Sequence, residues 1–267
     1  MRYGLELPCG GDGVTVGLLV RLGVEAQRAG WDGVFFEDYL VYHRGQDPAT
    51  FDPWLVLAVV AGRASHITLG TTVSGLLARD PVKLAREALT LRDLSDGRVV
   101  LGVGLGDPND RGAALNPLWD AGRSRGAQMD ERLDLLLGLL AGRVRVWVGG
   151  SSEAGAVARR AARAGGVVPY KLTDTDRWTD FTSEEVATLA AAVAAHCSDG
   201  GVAASVDVAV GGRRRLPSEE AERAAVDAAA GGGATWWLEF VHPGSDAEML
   251  EAVRRGPVRA TTEQTRG

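Results

Sequence analysis

A single (β/α)8 TIM barrel over residues 1–267 is the fold class this sequence predicts, and three observations point to it. Short apolar, β-branched runs alternate with longer helical stretches, the alternation repeats eight times, and no linker or composition break divides it. Strands separated by helices must pair in parallel, because each crossover helix returns the chain to the same edge of the sheet. Eight such units close on themselves, and a chain of 267 residues is the size at which they form one domain.

The first strand is read at 3–7 and its helix at 16–29, ended by Gly30. The second strand is 33–37, with a helix opened by Asp52-Pro53 and running to about 64. Asp at the N-cap followed by Pro in the first turn is a strong start signal, since Pro lacks an N–H that would go unused there. The third strand spans 67–74, and its helix is opened by Asp80-Pro81 and closed by Ser95-Asp96-Gly97. The fourth strand, 99–105, leads through an irregular stretch at 107–128 to a helix at 129–140. Then come 144–148 with a helix through 164, and 167–170 with a helix at 183–197. The last strands are 204–210 and 234–241, with helices at 218–230 and 247–254. Residues 54–61 read Trp-Leu-Val-Leu-Ala-Val-Val-Ala, apolar on every face. An outer barrel helix needs one buried stripe, so the surplus points either to a second copy in a homodimer or to a covering loop.

Composition narrows the function classes. The net charge of −6 and the lack of any basic run longer than Arg213-Arg214-Arg215 argue against a nucleic-acid partner. No apolar run has the length of a membrane span, and the start of the chain does not read as a signal peptide. Cys9 and Cys197 fit no metal or redox spacing. The expectation is a cytoplasmic enzyme acting on a small-molecule substrate, without a metal.

In such a barrel the active site lies at the C-terminal strand ends. The second strand ends in Phe35-Phe36-Glu37-Asp38-Tyr39, with His43 close behind. Glu37 and Asp38 are adjacent and so face opposite ways; either could be the inward carboxylate. Gly102, Gly104 and Gly106 strip side chains from one face of the fourth strand, which leaves room for a flat ring or for close barrel packing. Gly149-Gly150-Ser151-Ser152 before a helix either cradles a phosphate at the positive end of the helix dipole or forms an ordinary tight turn. His43 and His242 fall in loops at this end, and His66 at the other. Lys171 is the one lysine at a strand end, which leaves little for Schiff-base chemistry of an aldolase type.

These residues form a pattern. Ala29-Gly30-Trp31-Asp32-Gly33-Val34-Phe35-Phe36-Glu37-Asp38 resembles the second-strand signature of the luciferase-like monooxygenase family. Ile67-Thr68-Leu69-Gly70-Thr71-Thr72-Val73 with Arg79-Asp80-Pro81 resembles its third unit, and Leu94-Ser95-Asp96-Gly97-Arg98 through Gly104 its fourth. Val146-Trp147-Val148-Gly149-Gly150 resembles the fifth and Gly233-Ala234-Thr235-Trp236-Trp237-Leu238-Glu239 the eighth. The resemblance implies reduced FMN or the deazaflavin F420 as cofactor. It implies that Thr71, Thr72 and Val73 line the ring system, with a cis peptide at Thr72-Val73, that Gly104 sits beneath it, and that Gly150 and Ser151 hold the phosphate. Arg123 or Arg125 would add a cation to that phosphate. Asp38, Tyr39 and His43 become the candidates for proton handling.

Three departures stand out against the family pattern. Tyr39 replaces a frequent His and is the poorer base. The barrel is shortened between the fourth helix and fifth strand, where relatives carry a longer segment. Gly165-Gly166-Val167 replaces an Asp-Gly-Trp motif at the sixth strand. The leading expectation is a monooxygenase using reduced FMN, supplied by a separate flavin reductase, with O2. The alternatives are F420-dependent hydride transfer and a flavin-binding protein without activity.

Overall fold

The computed structural model describes residues 1–42, 49–107, 110, 118, 120–151, 155–171, 179–197 and 206–261. Eight strands alternate with eight helices among these residues. They are β1 (Arg2–Leu7), α1 (Val16–Arg28), β2 (Gly33–Asp38), α2 (Pro53–Ala61), β3 (Thr68–Gly75), α3 (Pro81–Leu94), β4 (Val99–Gly104) and α4 (Arg125–Leu140). There follow β5 (Arg145–Ser151), α5 (Gly155–Ala164), β6 (Gly166–Tyr170), α6 (Ser183–Ala194), β7 (Asp207–Arg213), α7 (Glu219–Gly231), β8 (Trp236–Phe240) and α8 (Asp246–Arg254). The strands pair in chain order, all parallel, and β8 closes onto β1. The expected (β/α)8 TIM barrel is the observed one, and α4 reaches β5 through Ala141, Gly142, Arg143 and Val144 alone.

Helix starts follow the caps. Asp52 accepts from the N–H of Trp54 and Leu55, and Asp80 from that of Lys83. Helix α4 begins at Arg125, four residues before the expected start, because Ser124 caps it. Strand β7 runs to Arg213 and not 210, because Gly211 and Gly212 take positive φ and form a bulge opposite β8 that keeps the ladder going. Glycines there read as a strand end; in the fold they turn a corner within it.

Two cores result. Inside the barrel, Phe35 packs on Trp147 (centroids 5.0 Å apart) and edge-on against Trp236 (5.4 Å), with Val100, Ala209 and Leu238 beside them. These large rings fit because glycines lie beside them: a Cβ on Gly70 would stand 3.0 Å from Phe35 Cδ1, and one on Gly166 2.2 Å from Trp147 Cδ1. At the N-terminal end, buried Asp207 accepts from the Trp147 indole (3.0 Å), Thr235 (3.1 Å) and Arg2 (3.1 Å). The larger core lies between barrel and helices. On α2, Trp54, Val56, Leu57 and Val60 are buried in it, while Leu55 and Val59 remain exposed. Among the described residues no helix is long and apolar enough to cross a membrane.

On the outer face of β8, Glu239 is buried against Arg215 (2.7 Å). Desolvation pushes its carboxyl up from 4.5 to about 7, against the pull of Arg215. The folded state therefore holds this proton more tightly than the unfolded chain does. The resulting stability is complete below about pH 4.5 and is lost as pH rises to about 7. Thermal melting is expected to weaken across that window by up to about 3 kcal/mol. Glu239→Gln should flatten the slope, and an unchanged slope in that variant would assign it to another group.

Candidate functional site

The C-terminal mouth is shaped by an irregularity in β3. Between Phe36 and Asp38 its neighbour β2 advances two residues while β3 advances three, from Thr71 to Ser74. Strand β4 likewise advances two, from Leu101 to Val103. The extra residue of β3 lies at Thr72-Val73, and the peptide between them is cis, as expected. The Val73 side chain is thereby turned over β4 and β5. A Cβ on Gly104 would meet Val73 Cγ2 at 2.9 Å, one on Gly149 would meet Cγ1 at 2.9 Å, and one on Gly102 would meet Cγ1 at 3.1 Å. The bare face on the fourth strand is therefore filled from within. Val73 occupies the hollow left by three glycines, and Gly104 lies beneath Val73. Thr72 is buried, and its hydroxyl has no hydrogen-bond partner among the described residues. Thr71 does not line the mouth: it is fully buried and its hydroxyl donates to Gly102 O (3.2 Å), bracing the bulge.

Strand alternation answers the question left open for the acidic pair. Phe35 is inside the barrel, so Phe36 and Asp38 face the helices. The Asp38 side chain is fully buried there and accepts from Ser74 Oγ (2.5 Å), from the Trp54 indole (3.4 Å) and from the Arg79 guanidinium. Burial pushes its carboxyl up, and Arg79 and Ser74 oppose that. Its expected proton-handling role is not one this position serves; Asp38 ties β2 to β3, α2 and the start of α3. Glu37 takes the other side of the strand and is buried.

Tyr39 stands past the strand end at the mouth. Its phenol donates to Asp107 Oδ2 (3.1 Å), its ring edge meets Tyr42 (5.6 Å), and its N–H points to Cys9 Sγ (3.4 Å). The next two N–H groups, of Leu40 and Val41, donate to the two oxygens of buried Asp110 at 2.9 and 3.1 Å. The segment after β2 is thus held by carboxylates from the segment after β4. Burial pushes the Cys9 thiol up to about 12, so it stays protonated. His43 lies outside the described residues. His242 is exposed, edge-to-face with Phe240 at 4.7 Å.

Gly149, Gly150 and Ser151 are the last residues of β5, and α5 starts at Gly155. Ser152 lies outside the described residues. The first turn of α5 is drawn close to the strand, since a Cβ on Gly150 would meet Val157 Cγ2 at 2.7 Å. Of the two candidate cations, Arg125 donates to Leu105 O (3.3 Å) and Gly106 O (3.4 Å) at the mouth. Arg123 is turned outward onto Glu131. Asp110, Ser74 and Cys9 were not expected at the site. The signal for Arg79 is Asp38 itself, because an outward buried carboxylate needs a cation and Arg79 closes the same unit.

The model of the luciferase-like monooxygenase family matches residues 8–265. Among curated relatives, an F420-dependent glucose-6-phosphate dehydrogenase of Beutenbergia cavernae is 37% identical over 137 residues, which is 50% of this chain and 39% of that protein. An F420-dependent hydroxymycolic acid dehydrogenase of Mycobacterium tuberculosis is 31% identical over 125 residues, 46% of this chain and 34% of that one. The match thus spans less than two-fifths of either relative. Among solved structures, monooxygenase RslO1 from Streptomyces bottropensis superposes with a TM-score of 0.74 at 19% identity, covering 95% of this chain and 97% of its own. The coenzyme F420 dependent tetrahydromethanopterin reductase from Methanopyrus kandleri gives 0.71 at 12%, covering 96% and 98%. At such identities the likeness concerns the fold.

Proposed function

The chain belongs to the luciferase-like monooxygenase family, an enzyme family of flavin- or F420-dependent oxidoreductases, and from that premise we propose that it is an F420-dependent oxidoreductase acting on a small organic alcohol or carbonyl. The observation that supports a flat-ring cofactor is the wall built by Val73 over Gly102, Gly104 and Gly149, beside the buried Thr72 hydroxyl, which has no partner among the described residues. A flat tricyclic ring fits such a wall, and either a flavin or a deazaflavin has that shape. The choice of F420 over FMN rests on sequence relatives, since those at 31–37% identity carry F420 in their names.

When bound, the cofactor supplies the hydride chemistry, and the protein supplies position and proton transfer. Val73 sets the depth of the ring, and Thr72 offers it a hydroxyl. Gly150 and Ser151, at the end of β5 ahead of α5, would hold a phosphate, toward which the positive end of the α5 dipole is favourable. Tyr39 handles the proton of the reacting oxygen at its own hydroxyl, and Asp107 Oδ2 receives the phenol's proton in turn. Tyr39→Phe is expected to lower kcat by about 100-fold while leaving cofactor affinity unchanged. Anaerobic turnover, followed as loss of F420 absorbance with candidate alcohols, checks it, and unimpaired turnover in the variant would remove Tyr39 from the reaction.

With FMN in its place, the same wall would serve a monooxygenase fed by a separate flavin reductase. The homodimer proposed from α2 rests on the exposed Leu55 and Val59; sedimentation should find a dimer that Leu55→Asp disperses.

A further inference from the structure

Away from the mouth, a cavity of about 270 Å³ opens on the barrel flank, lined by Arg215, Glu219, Arg223, Arg255, Val258 and Arg259 among others. It lies between α7, α8 and the segment that follows α8. Three of its guanidiniums are held by backbone carbonyls: Arg215 by Gly256 O, Arg223 by Arg259 O (2.9 Å) and Arg259 by Gly30 O (2.9 Å). Arg259 is also seated over the Tyr3 ring at 4.9 Å. A carbonyl fixes the direction of a guanidinium and leaves its charge uncompensated, so the side chains are set in place before any ligand arrives.

The carboxylates nearby among the described residues do not balance these charges. Buried Glu239 is shared by Arg215 and, at 3.8 Å, by Arg255. Glu219 pairs with Arg223 from an exposed position on the rim. Glu222 is taken by Arg213 and by the N–H of Leu216, and Asp227 by Thr261. Among the described residues, four guanidiniums thus stand against two carboxylates, in a chain whose net charge is −6.

We propose that this cavity binds a phosphate group, as inorganic phosphate or as a small phosphate monoester, on Arg215, Arg223, Arg255 and Arg259. A dianion matches the two uncompensated charges, and guanidinium forks match its oxygens. The volume admits a phosphate with a short organic body. The site is separate from the barrel mouth, so it stands or falls independently of the cofactor.

The intact protein is titrated with inorganic phosphate and with glycerol 3-phosphate, by calorimetry and by thermal melting, against sodium chloride at equal ionic strength. The expected result is saturable binding and a melting temperature that rises with ligand as mass action requires. Saturation by the free ion alone, or by the monoester alone, identifies which source the site takes. Arg255→Gln, a half-exposed residue with one long ion pair, should weaken binding at least tenfold without unfolding the protein, and Arg223→Gln should do the same. If neither phosphate binds more than chloride does, or if both variants bind as the parent does, the assignment is overturned.

Discussion

Asp38→Ala should destabilise the barrel by about 3–5 kcal/mol, the range for breaking a buried ion pair from one side. The reason is the company this carboxylate keeps. Its removal leaves the Arg79 guanidinium, only 16% exposed, without its counter-ion, leaves the Trp54 indole without its acceptor, and leaves Ser74 only the Thr71 hydroxyl (3.2 Å). Asp38→Asn should lie between, because it restores an acceptor without the charge. Urea unfolding of the three proteins checks the order. A loss below about 1 kcal/mol in Asp38→Ala would mean that Arg79 is repaired by water, as at an exposed pair.

Gly149→Val and Gly104→Val should each weaken cofactor binding on the order of 100-fold, or about 3 kcal/mol. A single Cβ at either position already comes within 2.9 Å of Val73, so a branched side chain must push Val73 out into the mouth. The displaced methyls then occupy the volume meant for the ring. Overpacking of this kind costs the fold itself only about 1–3 kcal/mol, so thermal melting should show a folded protein that no longer takes up cofactor. Parent-like affinity in both variants would mean that the ring does not lie against Val73.

The eight-unit order was legible because it is written in local signals: Asp-Pro starts before α2 and α3, glycine stops, and apolar runs of strand length. Gly104 was read as a bare position on the fourth strand, and Val73 was implied by the family resemblance. What was not legible depends on contacts between distant segments. The sequence shows Glu37 and Asp38 as neighbours, but only the aromatic layer of Phe35, Trp147 and Trp236 fixes which of them turns outward. The glycines of β4 read as empty space because the residue that fills it comes from β3, across a bulge that no spacing rule marks. The binding of Leu40 and Val41 by Asp110 joins residues some 70 positions apart, and Asp110 sits in a stretch that reads as irregular. The arginines of the flank cavity are scattered in the same way, over α7, the loop before it and the segment after α8.

A preference of the mouth for a deazaflavin over a flavin is open to one direct measurement. The purified protein is equilibrated with F420 and, separately, with FMN, and the bound fraction of each is read from absorbance after ultrafiltration. The expected result is saturable binding of F420, tighter than that of FMN by at least about tenfold, a difference of roughly 1.4 kcal/mol. Preferential binding of FMN would contradict it and return the monooxygenase reading to first place. Binding of neither would leave a barrel of this family that does not hold the cofactor by itself.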